Sequence, residues 1–219
     1  MSLAAQLIDL LAALLLLMAF AMLAQRRLMA LIGLFAFQGA LLAASTAVVA
    51  WSTGQTHLWW SAGLTALLKA VVLPLVLRRL AVRLAVARDV EPLVNVPTTL
   101  LVGIVLVVVA FDLALPIAEL AGTVTRGTLG IAMACVLLSL LMMITRRRAI
   151  AQVIGFLSLE NALFFAATGA TYGMPMVVEL GIALDVLVGV LVFGVFFFRI
   201  RETFDSLDVE HLEKLGDRG

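Results

Sequence analysis

The stretch RAIAQVIGFLSLENALFFAAT, residues 148–168, decides the fold. It begins with a basic residue and is otherwise apolar, apart from a few small polar side chains and the pair Glu160 and Asn161. About 20 such residues, rising 1.5 Å each, cross the hydrocarbon core of a bilayer as a helix. The stretch therefore predicts a transmembrane helix that carries an ionisable carboxyl group near its centre.

The composition of the whole chain agrees with this interpretation. Of its 219 residues, 64% are hydrophobic and 13% are charged, and the mean hydropathy is +1.18. Soluble domains carry about 25% charged residues. The net charge of +1, without a basic cluster interleaved with aromatic residues, gives no indication of nucleic-acid binding. We infer an all-α polytopic membrane protein.

About seven apolar segments are long enough to span the membrane. Most of the Lys and Arg residues follow the first, third, fifth and seventh segments. Because basic residues accumulate in cytoplasmic loops, this pattern predicts an N-terminus outside and a C-terminus in the cytoplasm. The segments are residues 3–24, 28–51, 57–77, 97–119, 127–145, 149–171 and 175–198.

The second and sixth segments resemble each other. Residues 26–46, RRLMALIGLFAFQGALLAAST, align without gaps with residues 148–168, and Gly33 falls on Gly155. Gln38 takes the place of Glu160 in this alignment. Both copies begin on the predicted cytoplasmic side, so the pattern indicates a parallel internal repeat in a 3 + 1 + 3 arrangement of helices.

The repeat divides the chain into four regions. They are an N-terminal three-helix repeat, a cytoplasmic loop with a linker transmembrane helix, a C-terminal three-helix repeat and a cytoplasmic tail, at residues 1–80, 81–126, 127–198 and 199–219.

Ionisable residues inside the apolar segments are the best functional candidates, because each costs about 2.5–3.5 kcal/mol at the centre of a membrane helix. Glu160, Asp185 and Lys69 fall near the middle of three different segments. Asp112 and Glu179 are further candidates for proton translocation. Asp9 and Glu119 are predicted to lie near the outer interface, where a carboxylate costs little.

Structural explanations compete with a proton-transfer role. Lys69 would fix helix packing if it formed a buried ion pair with Asp185 or Glu160. Glu160 would also be stable as a protonated group, hydrogen-bonded to a neighbouring helix.

Other kinds of site lack the necessary residues. The only histidines are His57, at a predicted membrane edge, and His211, in the tail, and Cys135 is the only cysteine. A bis-histidine haem within the bilayer and a cysteine metal site are therefore excluded by count. The sequence contains no glycine-rich nucleotide loop and no plausible serine triad. We predict no catalytic centre, metal or cofactor in this chain.

Four stretches resemble a known family. They are TRRRAIAQVIGFLSLENALFFAATGATYGMPMVVELGIALDVLVGVLVFGVFFFRI (145–200), RETFDSLDVEHLEKL (201–215), QRRLMALIGLFAFQGALLAA (25–44) and TALLKAVVLPLVLRRL (65–80). Together they resemble the membrane subunit called hydrogenase-4 component E over nearly the whole chain. That family is related to the K subunit of respiratory complex I and to a small subunit of multisubunit cation/proton antiporters.

The resemblance implies roles for two acids. The complex I relative has two intramembrane glutamates on successive helices, which are implicated in proton translocation. Aligned on Asn161, the first of them falls on Leu157, so Glu160 lies one helical turn further along. The second falls on Asp185, where the acid is one carbon shorter.

The resemblance also implies the setting. The chain would be a non-catalytic subunit of a membrane-bound [NiFe]-hydrogenase or formate hydrogenlyase-like complex in a bacterial or archaeal plasma membrane. Its partners would be antiporter-like subunits, a complex I-type anchor subunit and peripheral hydrogenase and iron–sulfur subunits, which would hold the metals of this oxidoreductase complex. Two alternatives are a subunit of a cation/proton antiporter and a structural scaffold whose buried charges hold helices together.

Overall fold

A computed structural model describes residues 3–83, 94–121 and 126–171, together with Gly189. Every regular element in these ranges is helical, as the sequence predicts. The helices are α1 (Leu3–Ala24), α2 (Leu28–Thr53), α3 (Thr56–Thr65), a π-helical segment (Ala66–Val72), α4 (Leu73–Arg83), α5 (Val96–Ala121), α6 (Arg126–Thr145) and α7 (Ala149–Thr171).

Six helical stretches in the described ranges are long and apolar enough to cross a membrane. One of them, Thr56–Val82, combines α3, the π-helical segment and α4, and we call it the third span. These six correspond to the first six predicted segments. The predicted seventh segment, residues 175–198, and the predicted tail, residues 199–219, lie outside the described residues.

The third span ends later than the sequence predicts. The sequence predicts an apolar segment to about residue 77 and a separate short interfacial helix in the loop after it, but α4 continues without a break to Arg83. Arg78 and Arg79 therefore lie on its last turns. Arginine is a good helix former, and its long side chain allows the charged head to reach water while the backbone remains helical.

An apolar stripe on α2 forms part of the core. Leu28, Leu31, Phe35 and Leu42 are fully buried and recur at the helical spacing that places them on one side. Gln38 lies within this stripe and is equally buried, at 1% exposure. A polar residue in this position must find hydrogen-bond partners inside the protein.

The turn after α2 is set by a glycine. Gly54 has a φ of +69°, in the left-handed region, and its N–H donates to the carbonyl of Ala50 at 3.0 Å. Glycine adopts this conformation without a steric penalty and commonly ends helices in this way. Because α3 begins two residues later, at Thr56, α2 and the third span pack as an antiparallel pair.

The central helices pack as a group. Helix α1 contacts α2 and α6, α2 contacts α7, and α6 contacts α7. The two copies of the repeated motif lie on α2 and α7 and so are in direct contact. Helix α5 packs mainly against α6 and α1, and much of its surface is exposed.

Candidate functional site

Glu160 lies deep within the packed helices. It is at the midpoint of α7, about 16 Å from each end at the helical rise of 1.5 Å per residue. Its side chain is 3% exposed, and its neighbours Ser158 and Asn161 are also buried. The sequence prediction that an acid lies near the centre of this helix, away from its ends, therefore agrees with the structure.

A chain of hydrogen bonds passes beside Glu160 and joins three helices. The Gln38 Nε2 atom on α2 donates to Ser158 Oγ on α7 at 3.0 Å, and Asn161 Nδ2 donates to Gln38 Oε1 at 3.1 Å. The hydroxyls of Ser158 and Ser139, on α6, are 2.9 Å apart. Gln38 therefore uses both ends of its amide to bind successive turns of α7.

Lys69 is at the midpoint of the third span, within the π-helical segment, and is 1% exposed. The wider hydrogen bonding of this segment is visible at its end, where the N–H of Leu73 donates to the carbonyl of Leu68, five residues earlier. π-helical turns are rare and frequently occur at functional sites. The sequence gives no signal for this segment, since its residues are ordinary helix formers.

The backbone of Lys69 contacts α2 very closely. A Cβ atom on Gly39 would lie 2.8 Å from the carbonyl carbon and oxygen of Lys69, which is closer than real Cβ contacts. Only glycine fits here without movement of the backbone. Because Gly39 follows Gln38, the contact holds Lys69 at the level of the Gln38 hydrogen bonds.

The ammonium group of Lys69 reaches α7. Its Nζ atom is 5.6 Å from the centroid of the Phe164 ring, within range of a cation–π interaction. Phe164 lies four residues after Glu160, and residues at this spacing are neighbours on one helix face. The structure thus brings Lys69 and Glu160 to adjacent turns of the same interface. We call Gln38, Lys69, Ser139, Ser158, Glu160 and Asn161 the central polar cluster.

The other predicted residues are placed differently. Asp112 is on α5 with an exposed side chain and is not part of the central polar cluster. Asp9 is half-buried on α1. Glu179, Asp185 and the side chain of Glu119 lie outside the part of the chain that the structure describes.

Arg146 was interpreted from the sequence only as one of several cytoplasmic charges, but its side chain is 1% exposed. Its Nη2 atom donates to the carbonyls of Leu23, at 2.7 Å, and Met22, at 3.3 Å, near the end of α1. The last carbonyls of a helix lack partners within it, although the Met22 carbonyl also accepts from the N–H of Gln25 at 3.2 Å. A cation at a helix C-terminus also interacts favourably with the helix dipole. Arg146 therefore fastens α1 to the turn between α6 and α7.

The surroundings of Arg146 disfavour its charge. Burial lowers its pKa, and the positive charge of Arg26 lowers it further. An arginine nevertheless stays protonated in proteins, so the hydrogen bonds to α1 persist at any physiological pH. The sequence could not single out Arg146, since two more arginines follow it directly.

No metal site is formed within the described ranges, where no three His, Cys, Asp or Glu side chains are grouped closely enough to hold an ion. Cys135 is a free, buried thiol on α6.

Comparison with known proteins gives relatives but no structural precedent. The chain is 38% identical to the uncharacterized protein Rv0085 of Mycobacterium tuberculosis over 195 residues, which is 88% of each chain. It is 28% identical over 116 residues to hydrogenase-4 component E of Escherichia coli and of Shigella flexneri, a match that covers 53% of each chain. No protein-family model matches the chain, and no solved structure matches it significantly.

Proposed function

The chain belongs to the family of the Mycobacterium tuberculosis protein Rv0085, and we propose that it is a non-catalytic membrane subunit that helps to move protons. Its complex would be a membrane-bound [NiFe]-hydrogenase or formate hydrogenlyase-like assembly related to complex I. The observation that carries the proposal is the placement of Glu160 and Lys69, two buried ionisable groups at the midpoints of their helical spans, on adjacent turns of one interface.

Charge at this depth supports transport rather than simple packing. Ionisable groups in the membrane interior are costly, and they commonly mark ion paths and proton relays. A carboxyl group takes up and releases a proton, and a nearby cation favours the ionised form. Glu160 would therefore exchange protons while the charge of Lys69 tunes how tightly they are held.

The surrounding hydrogen bonds have a separate task. Gln38 and Asn161 keep α2 and α7 in fixed register beside Glu160. Amide and hydroxyl groups also offer polar partners for water near the acid. In this proposal they hold the carboxyl group in position, and the proton is carried by Glu160.

The proposed setting of the complex is supported by the partial similarity to hydrogenase-4 component E. The partners would be antiporter-like subunits, an anchor subunit of the complex I type and peripheral hydrogenase and iron–sulfur subunits, in a bacterial or archaeal plasma membrane. Asp185 and Glu179 would continue the proton path on the seventh segment, and Asp112 would lie near the outer side.

Replacement of Glu160 tests the proton role. In vesicles that contain the assembled complex, E160Q should reduce proton pumping at least about tenfold, which corresponds to about 1.4 kcal/mol. Glutamine keeps the size of the side chain but cannot release a proton. E160D should retain part of the activity, and D9N, which removes an acid predicted to lie at the outer interface on α1, is the matched control for loss of an acid.

Two results would separate the proposals. Normal pumping by a fully assembled E160Q complex would overturn the role of Glu160.

The chain should also be purified from native membranes in mild detergent and its partners identified by mass spectrometry. Hydrogenase and iron–sulfur subunits are expected, whereas cation antiporter subunits alone would contradict the hydrogenase setting.

A further inference from the structure

Three polar side chains lie along one buried side of the third span. Ser61, Thr65 and Lys69 are spaced four residues apart and are exposed by 4%, 1% and 1%. Residues at this spacing lie above one another on a helix face. Ser61 is about 7 Å from the Thr56 end of the span and Lys69 about 20 Å, at 1.5 Å per residue. The three therefore lead from near one membrane surface to the central polar cluster.

The two hydroxyl groups are unusual among those of the described helices. Thr46, Thr53, Thr145 and Thr168 each donate to the carbonyl four residues earlier. Within the described part of the chain, Ser61 Oγ and Thr65 Oγ1 are buried and have no hydrogen-bond partner. A buried hydroxyl without a partner is costly, unless water supplies the missing bonds.

The side of the span that carries these residues faces protein. Trp60 and Leu64, beside them in sequence, are 84% and 37% exposed and mark the outer side of the helix. Across the interface, the backbone of α2 approaches Lys69 at Gly39. Since α2 and the third span are antiparallel, the next turn of α2 brings Ala43 to the level of Thr65. At that level α2 presents the small, buried side chain of Ala43, whereas the space at Gly39 is occupied by the backbone of Lys69.

We infer that Ser61 and Thr65 line a water-filled half-channel that opens at the Thr56 end of the third span and ends at Lys69. The arginine distribution predicts that this end is on the outer side. Water in this channel would connect the central polar cluster to the outside solution. The use of the channel by protons depends on the proposed function, whereas its hydration does not.

Cysteine labelling tests the half-channel directly. In a C135A background, which removes the native thiol, S61C and T65C are exposed to a membrane-impermeant methanethiosulfonate reagent on the outer side of intact cells. L64C is the matched control, because Leu64 lies at the depth of Thr65 but on the outer side of the helix. Since this reagent requires a hydrated thiolate, T65C should label at least about tenfold faster than L64C.

Two labelling results would overturn the inference. T65C that reacts no faster than L64C would show that the side chain meets no water. T65C that reacts only from the cytoplasmic side would show that the channel opens at the opposite end. Every variant is first checked for normal assembly by size-exclusion chromatography.

A second measurement uses the unmodified chain, in case a cysteine variant fails to assemble. Radiolytic hydroxyl-radical labelling modifies side chains next to internal water. Lys69 should be oxidised, whereas Leu42, which is as deeply buried on α2, should be protected. Equal protection of both residues would overturn the half-channel. A hydrated channel combined with normal pumping by E160Q would retain this inference and reject only the proton role of Glu160.

Discussion

Helices α7 and α5 both carry one acid within an apolar membrane span, and the two acids have opposite surroundings. Glu160 on α7 is 3% exposed and lies among polar side chains from neighbouring helices. Asp112 on α5 is exposed. Over half of the apolar window of α7 is buried, 56%, compared with 22% for α5. Helix α7 is thus part of the protein interior, whereas α5 presents most of its surface outward.

The comparison shows that two acids within apolar spans can have opposite surroundings. Asp112 is about 24 Å from the start of α5 at Val96, at 1.5 Å per residue, and so lies towards one membrane surface. Glu160, at the midpoint of α7, depends entirely on what the protein provides.

Among the variants proposed here, replacement of Arg146 should lower the stability of the protein most. R146A deletes two hydrogen bonds from a charged donor to the end of α1, and such bonds contribute about 1.5–3 kcal/mol each. We expect a decrease of about 3 kcal/mol in the free energy of unfolding. Thermal unfolding in detergent measures this loss of stability. R147A is the control, because Arg147 is exposed. Equal stability of the two variants would contradict the fastening of α1 by Arg146.

A methyl group at the contact of α2 with the third span should have the next largest effect. G39A places a Cβ atom against the backbone of Lys69, and overpacking of this kind costs about 1–3 kcal/mol. G33A is the control, since its added Cβ would meet no atom within 4 Å. G39A should unfold at a lower temperature than G33A. The reverse order would mean that the two backbones are not in contact.

Loss of the hydrogen bonds of Gln38 should lower the free energy of unfolding somewhat less than G39A does. Q38L leaves the buried groups of Ser158 and Asn161 without their Gln38 partner, at a cost of about 1–2 kcal/mol. Q6L is the matched control on the exposed surface of α1. A double-mutant cycle of Q38L with S158A measures the coupling. Strictly additive effects would show that the two side chains do not interact.

The smallest effect is expected on α5. D112N should change the free energy of unfolding by less than about 0.5 kcal/mol, because exposed substitutions rarely do more. A large loss of stability, measured as for the interior variants, would show that Asp112 is buried by a partner or by another part of the chain. The contrast between α5 and α7 would then be wrong.

The sequence predicted the helical class and most helix boundaries, because long apolar runs in a membrane protein have few alternatives. It also singled out Glu160 and Lys69, which are buried in the structure, and it placed Gln38 opposite Glu160 in the repeat, since polar groups are conspicuous in such runs. It did not predict that α4 continues without a break to Arg83. The hydropathy pattern ends at the first arginines, whereas the helix continues through them. The burial of Arg146 and the bonding of Ser139 to Ser158 depend on contacts between distant segments, which no local pattern encodes.

The π-helical segment at Lys69 also has a consequence for how relatives of this chain should be aligned. An α-helix turns about 100° per residue, so one additional residue absorbed into a wide turn leaves the helix on either side intact. A relative with an ordinary α-helix here would be one residue shorter between Ala66 and Val72. A single-residue gap at that place is therefore expected in a correct alignment. Without it, every position from Thr56 to Thr65 would be compared with a neighbour that faces a different direction.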